Sequence, residues 1–279
     1  MRIENDDETG YITDNTGNRN VFKLRSFLMK FGVADYGMNV WDGDFYDLQT
    51  RLEDLKAIGY DGIERLTAAS PSDAMRQAEI FHRMGMDFTT VAGPKVANGI
   101  AWTCALGKPY VWLTPGSSIR GVDIELYCRK ANRMVEVANR MNVEVAVHNH
   151  LGAVVEQQED LDYFMKAVPA AKLVFDIGHL HGAGGDCVGT VEKYADRIIA
   201  MHFKDIEMLD PDKSEWYERL CFRGLDDGNI NFDWRAVVKA LKKVGYDKWC
   251  FIEQDSHRND PIKELKQSLE LLKQAFAEA

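Results

Sequence analysis

Apolar and polar positions alternate in a regular rhythm from about residue 30 to the end of the chain. Short runs of β-branched and aromatic residues, which are typical of buried strands, are each followed by apolar residues at helical spacing. The predicted strands are residues 31–36, 62–64, 86–92, 110–113, 143–147, 173–175, 198–201 and 249–252. A predicted helix follows each strand; the last covers residues 261–276, with its apolar residues on one stripe.

Eight strands that alternate with eight helices predict an α/β protein built as a single (β/α)8 TIM barrel. The polar residues at the start of the chain predict a short N-terminal extension, residues 1–29, before a barrel catalytic domain, residues 30–279. A doubly wound open sheet is the competing fold. Its Gly-rich phosphate loop after the first strand is missing here, since that position reads Asp35-Tyr36-Gly37-Met38-Asn39.

Polar strings end the last four predicted strands. They read His148-Asn149-His150, Asp176-Ile177-Gly178-His179, His202-Phe203-Lys204-Asp205 and Glu253-Gln254-Asp255. Because the carboxyl ends of barrel strands meet at one rim, we expect imidazole and carboxylate groups from all four strings to converge there. That combination of groups is typical of a divalent metal site.

We predict that Asp176, His202 and Glu253 bind one divalent metal ion. Side chains alternate along a strand, so His148 and His150 share a face; we favour His148 as the fourth ligand, with His150 as its rival. A mixed nitrogen and oxygen set suits transition metals better than Ca²⁺. We expect Mn²⁺ or Co²⁺, with Zn²⁺, Fe²⁺ and Mg²⁺ as alternatives.

Such an ion polarises the carbonyl of a ketose or keto-polyol, which makes the proton on the adjacent carbon acidic. The base predicted to remove it is His150, a neutral imidazole near pH 7, with Glu253 as the second choice. Return of the proton gives isomerisation or epimerisation, and loss of a β-hydroxyl gives dehydration. The ligands alone do not separate these reactions.

The composition and net charge of the chain argue against some classes of partner. A net charge of −10 argues against a nucleic-acid partner, and no stretch of about 20 apolar residues predicts a membrane span. The five cysteines have no CxxC spacing, and the acidic N-terminus lacks the apolar region of a signal peptide. We therefore expect a cytoplasmic protein whose partner is a small sugar or polyol; a homo-oligomer is compatible with the sequence.

The four strings resemble the xylose isomerase-like TIM-barrel superfamily, and within it the inosose dehydratase family of inositol catabolism. The shared motifs are H-x-H-x-G at His148, D-x-G-H-L at Asp176, H-x-K-D at His202 and the Gly224 to Phe232 segment. The resemblance implies a metal-dependent isomerase, epimerase or lyase of carbohydrate metabolism. Ketose 3-epimerases of the superfamily carry Glu where His148 stands, which favours a dehydratase-like or isomerase-like site. A DNA-cleaving barrel and a non-catalytic sugar-binding barrel are competing interpretations, and the acidic charge disfavours the former.

Further polar residues are predicted near the substrate. The resemblance makes His179, in the loop after strand 6, a substrate-binding or ligand-supporting residue. Lys204 faces the same way as His202 and is expected to stabilise an oxyanion or to pair with a rim carboxylate. Arg223 lies on a predicted cover loop, residues 205–231, and Lys95 follows strand 3; both are candidate substrate-binding residues. Glu64, at the end of strand 2, is expected to pair with a base from a neighbouring strand.

Overall fold

A computed structural model describes residues 29–34 and 47–279 in full and, before them, only the backbone of three short strands. These three strands are β1 (Arg2–Asp6), β2 (Thr9–Thr13) and β3 (Arg19–Lys23), which pair antiparallel in that order. The sequence pattern predicted a polar extension in this region and assigned no element to it. The division of the chain at residue 29 stays a prediction.

Eight parallel strands form the barrel. They are β4 (Lys30–Val33), β5 (Gly62–Thr67), β6 (Asp87–Ala92), β7 (Tyr110–Trp112), β8 (Glu144–His148), β9 (Lys172–Asp176), β10 (Ile198–Phe203) and β13 (Trp249–Ile252). Their order around the ring is β6-β5-β4-β13-β10-β9-β8-β7, so that β6 and β7 close it side by side without strand hydrogen bonds. The predicted (β/α)8 barrel is confirmed.

Helices lie between the strands; the longer ones cover the outside of this ring, and the two shortest lie at its carboxyl end. They are α1 (Leu48–Ile58), α2 (Pro71–Met84), α3 (Val96–Ala105), α4 (Ile124–Asn139), α5 (Gln158–Ala167), α6 (Ile177–Gly182), α7 (Cys187–Tyr194), α8 (Trp216–Arg219), α9 (Trp234–Lys243) and α10 (Pro261–Glu278). The pattern did not predict the short helices α6 and α8. The part of the first predicted helix before residue 47 lies outside the described residues.

Helix α2 shows how local sequence sets these boundaries. Ser70 adopts an extended conformation, and its hydroxyl accepts the N–H of Asp73 at 3.2 Å, which satisfies one of the free amides of the first turn. Pro71 occupies the first helical position, where no N–H is needed. Gly85 ends the helix with a φ of 64°, a conformation that costs glycine little. These bounds agree with the helix from about residue 71 to 84 that the apolar spacing after the second strand predicts.

The inside of the barrel is filled below the strand ends by a small group of buried residues. They are Ala34, Tyr110, Ala146, Val174, Ala200 and Phe251. Four of these lie two positions before a predicted ligand, at 146, 174, 200 and 251, so they share its face of the strand. The ligands therefore point into the barrel, above a packed floor. The larger core lies between the strands and the helices.

The segment after β10 is ordered rather than a long loop. Strands β11 (Asp205–Met208) and β12 (Leu220–Arg223) form an antiparallel hairpin whose connection contains α8. Its side chains Ile206, Leu220 and Phe222 pack with Leu151 from the loop after β8. The hairpin is thus anchored beside the strand ends that carry the predicted ligands. In the described part of the chain, every helix is too short or too polar to cross a bilayer.

Candidate metal centre

The four predicted ligands converge at the carboxyl end of the barrel. One potential ligand atom from each of His148, Asp176, His202 and Glu253 lies within 4.8 Å of the others. Neighbouring strands bring them together: β10 lies between β9 and β13, and His202 is in register with Asp176. Residues separated by 105 positions in sequence therefore share one site.

The spacing of these groups suits a single ion. His148 Nε2 lies 3.3 Å from Asp176 Oδ2, and His202 Nδ1 lies 3.5 Å from that oxygen and 2.8 Å from Glu253 Oε2. Metal bonds of about 2.1 Å place two ligands on opposite sides of an ion about 4.2 Å apart, and adjacent ligands closer. Two imidazoles with two carboxylates are a donor set that transition metals accept. The residues present therefore fit the predicted ion.

The carboxylates of the cluster are held in their charged form. Burial alone would raise the pKa of Asp176, but Lys204 and His179 hold it well below its usual range. Burial also opposes ionisation of Glu253, while Lys204 and His202 lower its pKa overall. The site thus offers anionic oxygens across the physiological pH range.

Lys204 lies within the cluster. Its Nζ is 2.9 Å from Asp176 Oδ2, 2.6 Å from Glu253 Oε2 and 3.8 Å from Asp255 Oδ2. Of the two expectations, the pairing with rim carboxylates matches these contacts. Lys204 is fully buried, and its stem passes over Gly178, where a Cβ atom would lie 2.4 Å from Lys204 Cγ. The glycine of the D-x-G-H motif therefore makes room for this lysine.

His179 lies in helix α6, which corrects its predicted place in a loop. Asp176 caps this helix by accepting the N–H of His179 at 2.8 Å, so one aspartate both ends a strand and begins a helix. The His179 Nε2 lies 3.2 Å from Lys204 Nζ. Burial and the Lys204 charge lower the pKa of His179 well below its usual value, and the ring is therefore neutral. The ring contacts Lys204 and is buried from solvent.

His150 lies beside the cluster and borders an open cavity. This cavity has a volume of ≈ 440 Å³, and its walls include Trp112, His148, His150 and Trp216. The Nδ1 of His150 contacts the Leu151 carbonyl, so the N–H is on Nδ1 and Nε2 keeps its lone pair. Burial, reinforced by His148 and Lys204, lowers the pKa of His150 to about 4.

Trp216 forms the outer wall of the cavity. It comes from α8 in the hairpin connection, and its ring centroid is 5.8 Å from that of His150. Gly152, with a φ of 76°, lets the indole approach closely, because a Cβ atom there would lie 2.8 Å from Trp216 Nε1. The predicted cover segment thus reaches the cavity through this tryptophan.

Two candidates lie outside the cluster. The Arg223 guanidinium binds Glu207 within the hairpin, with an Nε–Oε2 distance of 2.7 Å. Lys95 is an exposed residue just before α3, and it lines a separate cavity of ≈ 270 Å³ together with Arg65 and Trp112. The substrate-binding roles of both stay predictions.

Glu64 is an interior residue that the sequence placed at a strand end. Strand β5 continues to Thr67, three residues farther than predicted, so Glu64 lies within the barrel. Its expected basic partner is His202, 2.9 Å away, which comes from β10 across the barrel rather than from a neighbouring strand. The signal for this role was a carboxylate on a predicted barrel strand.

The fold and the cluster together define a parallel α/β barrel with a group of potential metal ligands at its carboxyl end. The family model described as xylose isomerase-like TIM barrel matches residues 95–275. The chain belongs to this family. The resemblance drawn from the four strings is therefore confirmed at the level of the family.

Curated relatives match part of the chain. An inosose dehydratase of Bacillus licheniformis is 31% identical over 144 residues, 47% of this chain and 47% of its own length. The rhizopine catabolism protein MocC of Rhizobium meliloti is 31% identical over 172 residues, 58% of this chain and 52% of its own. The matches thus span about half the length of these relatives.

Solved structures share the fold over most of the chain. A D-psicose 3-epimerase from Clostridium cellulolyticum H10 superposes with a TM-score of 0.67 and 13% identity, covering 89% of this chain and 99% of its own. The probable 3-DHS dehydratase AsbF of Bacillus anthracis gives 0.67 and 14%, covering 88% and 99%. At such identities the likeness is one of fold.

Proposed function

We propose that the protein is a metal-dependent enzyme that removes the proton beside the carbonyl of a keto-polyol or ketose, in the manner of an inosose dehydratase. The observation that carries this proposal is the meeting of two histidines and two carboxylates, within 4.8 Å, beside a cavity that contains a further histidine. Inosose dehydratases among the curated relatives support the substrate class.

In this proposal, His148, Asp176, His202 and Glu253 hold the ion, for which Mn²⁺ or Co²⁺ is our first choice. When bound, the ion acts as a Lewis acid that polarises the substrate carbonyl and acidifies the adjacent C–H. Asp176, His202 and Glu253 are buried and His148 is half-buried, which limits competition from water and strengthens each charge interaction.

His150 is the proposed base. Its free Nε2 belongs to a ring that borders the cavity, and a pKa of about 4 keeps this ring neutral near pH 7. Glu253 is less suited to the task, because its Oε2 already contacts both His202 and Lys204. Lys204 balances the negative charges of Asp176 and Glu253, with which its Nζ pairs.

A ketose epimerase or isomerase of the same family is the alternative reaction. An epimerase that works on both faces of the substrate needs a second group to return the proton. Both carboxylates of the cluster are engaged by Lys204, and His148 stands where the two-carboxylate mechanism needs Glu. These contacts favour a single base and thus a dehydratase-like or isomerase-like reaction. A sugar-binding barrel without turnover is the non-enzymatic alternative.

The test is exchange of the substrate's α-proton with D2O, followed by NMR on keto-inositols and ketoses with Mn²⁺ or Co²⁺ added. We expect His150→Asn to keep its metal and to lose roughly 10²–10⁴-fold in exchange rate, the usual contribution of a general base. His181→Asn is the matched control, because that imidazole stacks on Phe232 outside the cluster. It should exchange at the wild-type rate.

Two results would count against the assignment. Exchange at the wild-type rate in His150→Asn, with metal bound, would exclude His150 as the base. Loss of metal in that variant would make His150 the ligand in place of His148. A metal-loaded wild-type protein that exchanges no protons of any such substrate would favour the sugar-binding alternative.

A further inference from the structure

Glu64 is a fully buried carboxylate below the metal cluster, outside all four ligand strings. Its Oε2 lies 2.9 Å from His202 Nε2. Its Oε1 accepts the hydroxyl of Tyr110 at 2.8 Å and the indole N–H of Trp112 at 2.9 Å. Each oxygen of this carboxylate therefore has a specific partner, and only one of the partners is a proposed metal ligand.

These contacts decide where His202 carries its proton. An ionised carboxylate only accepts hydrogen bonds, so the imidazole nitrogen that faces Glu64 must donate. Tyr110 and Trp112 both donate to Oε1, which leaves Oε2 to accept from His202. Nε2 therefore carries a hydrogen. Because Nδ1 also faces carboxylates, it carries one too until a metal displaces it, and the hydrogen on Nε2 then remains. The other nitrogen, Nδ1, faces Glu253 and Asp176 at 2.8 and 3.5 Å.

We propose that Glu64 is a positioning residue that holds the hydrogen of His202 on Nε2 and so presents Nδ1 to the metal. It acts through His202 and touches neither metal nor substrate. The inference rests on the proposed function in one respect, since it requires His202 to be a ligand. Metal-bound histidines commonly donate their second N–H to such a partner, which fixes the orientation of the ring.

The substitution Glu64→Gln isolates this role, because it keeps the size of the side chain. Tyr110 and Trp112 both donate, so they hold the single amide oxygen on their side. The amide NH2 then faces His202 Nε2 and requires that nitrogen to accept. A neutral imidazole then carries its hydrogen on Nδ1, where it competes with the metal.

Zn²⁺ binding, measured by calorimetry with the metal alone, tests the consequence. We expect Glu64→Gln to weaken Zn²⁺ binding by about 10- to 100-fold, the usual cost of losing such a partner. Tyr110→Phe is the matched control: it removes a donor to Glu64 but leaves the carboxylate against Nε2, and its Zn²⁺ affinity should stay at the wild-type value. In a His202→Ala background, Glu64→Gln should have no further effect.

The nitrogen of His202 that carries the hydrogen can also be determined in the wild-type protein, without a variant at position 64. In Zn²⁺-loaded protein labelled with ¹⁵N-histidine, NMR should show His202 with its hydrogen on Nε2 and zinc on Nδ1. Zinc on Nε2, or a hydrogen on Nδ1, would overturn the proposal. Wild-type Zn²⁺ affinity in a folded Glu64→Gln variant would overturn it too.

The two proposals fail in different ways. Equal Zn²⁺ binding by wild type and Asp176→Asn would show that the metal does not bind at the cluster, and it would contradict both proposals. Tight Zn²⁺ binding that Glu64→Gln does not weaken would contradict only the proposed positioning role of Glu64. The expected NMR signature without turnover of any keto-polyol or ketose would leave Glu64 in its role and contradict the proposed reaction.

Discussion

The two ends of the barrel differ in how far their charged groups are exposed to solvent. At the amino end, Asp87 lies between Lys30 and Lys108, and its side chain is 35% exposed. At the carboxyl end, Asp176 and Glu253 are buried around Lys204, and the imidazoles of His148 and His202 contact these carboxylates. The first arrangement is a partly solvated set of ion pairs, and the second is a buried cluster of charges.

The difference indicates what each end contributes. Removing charges from water costs several kcal/mol per ion, a cost that ion pairs offset only with excellent geometry. A chain optimised for stability alone gains more from apolar packing, as the floor of the barrel does. The buried charges at the carboxyl end are therefore best explained by binding, and those at the amino end by modest stabilisation.

The largest expected effect is loss of the metal from the carboxyl end. Asp176→Asn removes the charge but keeps an oxygen able to cap helix α6, so the fold should be retained. We expect the metal content of the purified variant to fall to background in elemental analysis. Asp87→Asn, the equivalent change at the amino end, should retain the wild-type content. Equal metal content in the two variants would contradict the division of roles between the ends.

The groups at the carboxyl end could largely be predicted from the sequence, because the pattern that indicates each of them is local. Each ligand follows an apolar strand, and the alternation of side chains within strands placed His148, Asp176 and His202 inside the barrel. The meeting of β9, β10 and β13 follows from the barrel order alone.

Contacts across the barrel could not be predicted in the same way. Nothing in the sequence near Glu64 shows that its partner is His202, because the pair depends on how far β5 extends. Helix α6 was missed since it is only six residues long and begins at Asp176, which was already assigned to the strand. Asp176 caps the helix with one carboxylate oxygen and faces the cluster with the other. The spacing of apolar residues predicts neither contact.

A smaller effect is expected at the amino end, where the ion pairs are partly solvated. Asp87→Asn should lower the free energy of unfolding by about 1 kcal/mol or less at pH 7, in urea titrations. Burial opposes ionisation of Asp87, but Lys108 and Lys30 lower its pKa overall. Its contribution is therefore present above the unfolded pKa of about 3.9 and is lost as the pH falls through the lower folded pKa. The gap between wild type and variant should close in acid; a gap that persists there would assign the effect to packing.

The smallest expected effect concerns Arg223, a charge at the carboxyl end that is bound as a peripheral pair. Its partner Glu207 also receives Arg258 at 2.6 Å, so Arg223→Ala leaves that carboxylate paired. We expect unchanged metal content, a loss of stability below about 1 kcal/mol and less than about a tenfold fall in kcat/KM. Glu207→Gln is the matched control, because it disturbs the same pair from the other side. A much larger fall in kcat/KM for Arg223→Ala alone, at unchanged stability, would instead make its guanidinium a substrate clamp and extend the functional end of the barrel into the hairpin.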